Sequence, residues 1–267
     1  MALPPPARAE GAPAVHGAAT LLLVVPTYNE RDNLEELAAR VFGALPDCHL
    51  LIVDDDSPDG TAELCRELQA RHPNLRLLHR KAGRGLGRAY LAGLDQGLRD
   101  GFELVGTMDA DLSHNPAHLP RMLELARSHD VVIGSRYVRD GGTINWRIRR
   151  ILLSWLANMF AAKLLGMPVH DATSGYRLYR ATALRRLALQ EVNSTGYSFL
   201  VELLYRLHRL GCSIGECPII FYDRTLGESK LGGREIWIGA LRLLRLRVPL
   251  VGIRTATPEA SGKPRPG

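Results

Sequence analysis

Leu104-Val105-Gly106-Thr107-Met108-Asp109-Ala110-Asp111-Leu112-Ser113-His114 is a short apolar run that ends in two acids. Runs of this length and composition read as buried strands, here over Leu104–Asp109. The same design recurs along the first half of the chain. Leu21–Val25 leads into Pro26–Glu30, Leu50–Asp54 into Asp54–Asp59, and Val131–Ser135 into Ser135-Arg136, with Leu75–His79 as a further strand. Between them Asn33–Leu45, Thr61–Arg71, Gly87–Arg99 and Pro116–Ser128 carry helical patterns, with Asn29 and Asp59 placed as caps. Strand–helix alternation at this spacing predicts an α/β fold with a mostly parallel central sheet and helices on both faces. Ligands of such sheets sit beyond the carboxyl ends of the strands. Four polar clusters fall at those ends, which predicts one shared site.

The second half changes character. Trp146–Leu165 reads as an amphipathic helix led by basic residues, Asp171–Tyr179 as a polar and aromatic loop, and Tyr197–Leu210 as a helix. Cys217–Asp223 reads as a strand leading into Arg224–Lys230. The expected layout is a flexible tail over 1–19, one domain over 20–235, an amphipathic helix over 236–253 and a second flexible tail over 254–267. That helix combines Trp237 with Arg242, Arg245 and Arg247, as helices lying on a membrane surface or on a partner do.

Composition sets outer limits. Apolar residues are 46% and charged residues 23%, which favours a globular chain over a disordered one. The net charge of +6 favours anionic partners: nucleic acid, anionic lipid or a phosphorylated substrate. Residues 1–19 lack the apolar run of a secretory signal. Ile151–Gly166 and Ile236–Val251 are interrupted by Lys163 and by arginines, so neither reaches the roughly 18 uninterrupted apolar residues of a membrane span. The expectation is a soluble or peripheral chain. Cys48, Cys65, Cys212 and Cys217 form no C-x-x-C pair and are expected as reduced thiols.

Asp109 and Asp111 carry the chemistry most directly. On an extended segment, residues i and i+2 point the same way, so two carboxylates would converge on one hard cation, Mg²⁺ or Mn²⁺, bridging phosphate oxygens. The competing reading is a solvated turn in which Asp111 caps the next helix. Asp54-Asp55-Asp56-Ser57-Pro58-Asp59-Gly60 places four acids on one loop, which calls for ligand donors or a cation. Asp54 and Asp55 suit a base or ribose, whereas Pro58–Gly60 suits a turn. Gly83-Arg84-Gly85-Leu86-Gly87-Arg88 matches neither dinucleotide-binding nor P-loop spacing, and reads as a loop bringing cations near phosphates. Arg224 and Lys230 bracket Gly227-Glu228-Ser229 and suit closure over a diphosphate. Arg136 follows an apolar strand and claims a buried role. His114 and His170 read more readily as structural than as bases.

With these residues in hand, the chain resembles family 2 glycosyltransferases of the dolichol- or polyprenol-phosphate mannosyltransferase branch. The resemblance rests on Val25–Glu30, Asp54–Thr61, Met108–His114, Gly134–Tyr137, Thr173–Tyr179 and Asp223–Gly233, and spans roughly residues 20 to 240. It implies a Rossmann-like nucleotide-sugar-binding domain of the GT-A type, with GDP-mannose as donor. Pro26, Tyr28, Glu30, Val53 and Asp55 would then contact guanosine. Asp109, Ala110 and Asp111 would hold sugar and metal, with Ser113 as a further metal ligand. Arg136, Arg224 and Lys230 would bind phosphates, and Arg150 and Ser154 would lie nearer the lipid phosphate. The implied reaction moves mannose to a dolichyl or polyprenyl phosphate at the cytoplasmic face of a membrane, with inversion. Some relatives carry carboxy-terminal membrane spans, so an anchoring partner subunit is a further expectation. The rival readings are a polyprenyl-phosphate transferase using glucose or N-acetylglucosamine, and a basic nucleic-acid-binding protein. The latter leaves the strand-end acids without a purpose. A processive polysaccharide synthase is disfavoured, because no Q-x-x-R-W segment occurs.

Overall fold

The computed structural model describes residues 20–192 and 198–223. The expected helix over 236–253, both expected tails, Arg224 and Lys230 lie outside the described residues. The leucine- and valine-rich runs form β1 (Leu21–Thr27), β2 (His49–Asp54), β3 (Leu75–His79), β4 (Leu104–Thr107) and β5 (Val131–Ser135). Helices α1 (Arg31–Ala44), α2 (Thr61–Gln69), α3 (Leu86–Arg99) and α4 (Leu119–Leu125) fill the intervals as expected, a 3₁₀ turn at Pro116–His118 preceding the last. Beyond them come β6 (Gly142–Ile144), α5 (Ile148–Leu165), β7 (Arg177–Arg180), α6 (Ala181–Leu184), α7 (Ser198–Arg209), β8 (Ile214–Pro218) and β9 (Ile220–Tyr222).

A seven-stranded sheet runs in the order β3-β2-β1-β4-β7-β5-β8, and a two-stranded sheet pairs β6 with β9. All pairings in the large sheet are parallel except those of β7, which is antiparallel to both β4 and β5. Alternation along the strands sends side chains to opposite faces. Leu22, Val24, Leu51, Val53 and Val105 face α3, α5 and α7, whereas Leu21, Leu23, Val25, Leu50 and Ile52 face α1, α2 and α4. The fold class is therefore the expected one, with helices on both faces.

Three expectations are corrected. Asp171–Tyr179 is not wholly a loop, since Arg177–Arg180 is β7, inside the sheet between β4 and β5. A four-residue strand with an arginine at each end gives little apolar signal. Arg177 is nevertheless wholly buried, its guanidinium donating to the carbonyls of Ala172 (2.6 Å), Ser174 (2.7 Å) and Leu200 (2.7 Å). The strand expected over Leu104–Asp109 stops at Thr107, which leaves both acids on a loop. Cys217–Asp223 is two strands in different sheets, because Ile219 leaves the edge of β5 and β9 crosses to β6.

Two glycines set how closely α3 lies on the sheet. A Cβ at Gly93 would meet Val24 Cγ1 at 2.2 Å, and one at Gly97 would meet Val105 Cγ2 at 2.8 Å. The helix reaches that depth only because neither residue has a side chain, and it carries Tyr90 toward the carboxyl edge of the sheet. Helix α5 behaves differently. It buries Asn158, Ala161, Ala162 and Leu165 but leaves Ile148, Leu152, Leu153, Trp155, Leu156, Met159 and Phe160 exposed. Among the described residues, no helix is long and apolar enough to cross a membrane. The four cysteines are free and buried, and burial pushes the Cys48 thiol up to about 12, far from a reactive range.

Candidate functional site

The loops after β1, β2, β3, β4 and β5 all emerge at the carboxyl edge of the sheet, and the four sequence clusters meet there. The β1 and β2 loops are laced together by hydrogen bonds. Thr27 Oγ1 donates to Asp54 Oδ1 (2.9 Å), and the Ser57 backbone N–H and hydroxyl donate to the same carboxylate (3.0 and 2.5 Å). Asp59 accepts from the backbone N–H groups of Arg31 (3.1 Å) and Thr61 (3.0 Å), serving the starts of α1 and α2 together. Asp55 accepts from the Gly85 backbone N–H at 2.7 Å and from the Arg80 guanidinium. His79 and then Arg84 hydrogen-bond Asp56 and hold its carboxyl below the usual range. The acids of this loop are thus compensated from within the protein, correcting the expectation that a ligand or cation is needed. Asp54, wholly buried, is a strut rather than a ligand contact.

Of the residues expected around guanosine, Tyr28 is 40% exposed, and the Arg84 guanidinium lies 5.3 Å from its ring centroid. Glu30 is the residue before α1 and accepts from Asn33 Nδ2 at 2.7 Å, while Asn29, expected as a cap, sits just outside with φ of 59°. Pro26 and Val53 are register partners on β1 and β2, and the Val53 side chain is buried in the core. The loop over 83–88, read as bringing cations near phosphates, places Arg84 against Tyr28 and Asp56 (3.1 Å to its carbonyl).

Asp109 and Asp111 lie on the loop after β4, where Leu112 takes a φ of 61°. The Tyr90 hydroxyl donates to Asp109 Oδ1 at 2.6 Å, and Asp109's backbone N–H donates to His114 Nδ1 at 3.3 Å. Asp111 Oδ1 accepts from the Ser113 backbone N–H (3.1 Å) and hydroxyl (2.5 Å). Asp111 caps no helix; Asn115 does, accepting from the Ala117 N–H at 3.0 Å. His114 is buried between the rings of Tyr176 and Phe221, and burial lowers its pKa, so it stays neutral and structural. His170 pairs with Glu216 at 2.8 Å on the surface.

Both acids offer hard oxygen donors from one short loop, which fits Mg²⁺ or Mn²⁺. Among the described residues no group of three or more metal-binding side chains occurs. A cation held by two carboxylates and completed by substrate phosphate and water is the usual Mg²⁺ arrangement, so the residues present fit the group. Ser113 Oγ retains lone pairs while its hydroxyl donates to Asp111 Oδ1.

Arg136 is buried and forms a bidentate pair with Asp171, Nε and Nη2 donating at 2.7 Å each, with Nη2 also 3.0 Å from Thr173 Oγ1. Burial raises the Asp171 carboxyl, but Arg136 outweighs it and holds the group below its ordinary range. The rings of Tyr137, Trp146 and Phe221 surround the guanidinium at 5.3–5.5 Å. Arg150, at the start of α5, stacks 4.0 Å from the Trp146 ring centroid and pairs with Asp223 at 2.7 Å, one turn before Ser154. Sequence reasoning missed Asp171 and Tyr90 as members of this edge. A buried arginine without an assigned partner was the signal for Asp171; Tyr90 sits mid-helix and had none.

A family model described as "Glycosyl transferase family 2" matches residues 22–188. The polyprenol monophosphomannose synthase of Mycolicibacterium smegmatis is 44% identical over 243 residues, covering 90% of each chain. The undecaprenyl-phosphate mannosyltransferase of Micrococcus luteus is 44% identical over 213 residues, covering 80% of this chain and 88% of that one. Among solved structures, glucosyl-3-phosphoglycerate synthase from Mycobacterium tuberculosis, in complex with Mn²⁺, UDP-glucose and phosphoglyceric acid, superposes with a TM-score of 0.62. At 18% identity over 85% of this chain and 80% of that one, this likeness concerns the fold.

Proposed function

We propose that this chain, which belongs to glycosyl transferase family 2, moves mannose from GDP-mannose to a membrane-borne polyprenyl phosphate, inverting the anomeric centre to give a β-linked mannosyl phosphate. The observation that carries this reading is one edge where a carboxylate loop meets a basic, outward-facing apolar helix. The names of the two relatives at 44% identity supply mannose as the sugar and polyprenyl phosphate as the acceptor. The expected dolichyl acceptor narrows to the polyprenyl class that those names share.

Tyr28 offers its exposed ring to a base, and Asp55, just after β2, would offer base or ribose the lone pairs that Arg80 and Gly85 leave unused. Asp109 and Asp111 hold Mg²⁺ or Mn²⁺, whose charge would stabilise the diphosphate as it leaves. Arg136, held in its buried pair with Asp171, orders the end of β5, and Arg224 and Lys230 would supply the charges that bind the phosphates. The acceptor phosphate is already anionic near neutrality, its second ionisation lying near ~6 by analogy with phosphorylated side chains. The reaction therefore needs alignment and charge stabilisation rather than a strong protein base. A neutral, buried His114 agrees with that economy.

Helix α5 supports the membrane side. Ile148 is 83% exposed, and Leu152, Leu153, Trp155, Leu156, Met159 and Phe160 are each exposed by 41–56%. Arg147, Arg149 and Arg150 stand at the head of the helix. Apolar residues following a basic cluster are the pattern of a helix lying in a lipid interface, where each arginine near an anionic leaflet adds about 1 kcal/mol. Arg150 and Ser154 lie where such a surface would deliver the lipid phosphate. Residues 236–253 would add a second interfacial or partner-binding helix.

The test is transfer of labelled sugar from GDP-mannose, UDP-glucose and UDP-N-acetylglucosamine to polyprenyl phosphate in vesicles, with Mg²⁺ or Mn²⁺. Organic-soluble product from GDP-mannose is expected. Product from a uridine donor alone would transfer the reading to another sugar on the same lipid, and product from none would end it.

A further inference from the structure

Tyr90 is wholly buried beneath the carboxyl edge of the sheet. Its ring is fully enclosed and stacks on Phe199, with centroids 6.1 Å apart and planes 8° from parallel. Its hydroxyl ends 2.6 Å from Asp109 Oδ1. Gly175 lies beside this contact. A Cβ there would lie 3.3 Å from Asp109 Oδ1 and 3.4 Å from the Tyr90 hydroxyl, and the Gly175 carbonyl is itself held by Thr107 Oγ1 at 2.8 Å. Glycines at 93 and 97 sink α3 into the sheet far enough for this contact. A carboxylate at the rim of a loop is thus gripped by a group locked into the core.

We infer that Tyr90 is a positioning residue for the metal-binding carboxylate, holding Asp109 Oδ1 so that Oδ2 alone meets the ion. This rests on the proposed metal role of Asp109. One carboxylate oxygen per ligand suits the strict six-coordination of Mg²⁺ and Mn²⁺, whereas Ca²⁺ accepts bidentate carboxylates and higher coordination numbers. Tyr90 therefore sets both the affinity for the ion and the choice among ions. Groups that orient metal ligands typically contribute 10- to 100-fold in affinity, and a short bond to an ionised oxygen is among the stronger kinds.

The experiment measures Mn²⁺ binding in the presence of GDP by electron paramagnetic resonance, with Ca²⁺ as competitor, on the full chain. Tyr90→Phe, which removes one oxygen and keeps the ring, is expected to weaken Mn²⁺ binding roughly 10-fold and to let Ca²⁺ compete better. Its melting temperature should stay near that of the parent. Wild-type Mn²⁺ affinity and ion preference in Tyr90→Phe would overturn the inference. Should that variant fail to fold, Gly175→Ala, whose Cβ would crowd both Asp109 Oδ1 and the Tyr90 hydroxyl, is expected to give the same loss, and its absence would overturn the inference equally. Asp109→Asn is measured alongside. If it too binds Mn²⁺ like the parent, the metal reading of Asp109 fails. If it loses the ion while Tyr90→Phe keeps it, only the role of Tyr90 fails.

Discussion

Helices α3 and α5 pack on the same face of the sheet, and they treat their apolar residues in opposite ways. Helix α3 buries Gly87, Ala89, Tyr90, Gly93, Leu94, Gly97 and Leu98, and keeps its arginines outside. Helix α5 turns Ala161, Ala162 and Leu165 inward and shows solvent a face of leucine, methionine and aromatic side chains. Contiguous exposed apolar surface of this kind is rare unless something apolar meets it. Hydrophobic periodicity thus located both helices but could not tell which medium each apolar face contacts. Under the proposed function the difference would separate two tasks: α3 would stiffen the donor edge through Tyr90, while α5 would offer an outer surface to the acceptor.

The largest effect that would sharpen this comparison concerns the pin beneath α5. Asp171→Ala leaves Arg136 buried without its carboxylate and is expected to cost about 3–5 kcal/mol of unfolding free energy, read by denaturant titration. A cost near that of an average surface change would mean that Asp171 is not what compensates the buried Arg136 charge. The pH dependence has a definite sign. Because Arg136 depresses the Asp171 carboxyl, its stabilisation is present above the unfolded carboxyl value near ~4 and is lost as pH falls through the lower folded value. The gap between parent and variant should therefore narrow only in strong acid. On the donor side, Asp111→Asn is expected to lower transfer by about 10²- to 10³-fold, the range for removing one preorganised charge-stabilising group. Vesicle binding should be unchanged, and a parallel fall in it would blur the two tasks. Removing the divalent ion with a chelator should abolish transfer in the parent and restore it on adding Mn²⁺, again without moving vesicle binding.

Much of the donor edge was legible in advance because it obeys simple rules. Strands of four to seven residues with apolar side chains on both faces announce a parallel sheet, and the acids fall where ligands of such sheets collect. Geometry beyond that was not legible. The expected convergence of Asp109 and Asp111 assumed a strand that ends too soon, at Thr107. Their places are set instead by Tyr90 and Ser113, contacts between distant or locally turned residues that no periodicity encodes. Strand β7 hid behind its arginines, since a buried guanidinium satisfied by three carbonyls is chemically sound but compositionally misleading. The loop over 54–59 misled in the opposite way, its charge being neutralised by local hydroxyl, amide, imidazole and guanidinium donors.

The division between the two helices is tested most directly by transfer from GDP-mannose to two acceptors, long-chain polyprenyl phosphate in vesicles and a short-chain, water-soluble isoprenyl phosphate. The variant carries Leu152→Ser together with Phe160→Ser. Half-exposed side chains of this size lose about 1 kcal/mol each of apolar contact, so vesicle-dependent transfer is expected to fall by roughly 10- to 30-fold. Transfer to the short acceptor should remain close to that of the parent. Equal losses on both acceptors, or none on vesicles, would contradict the account.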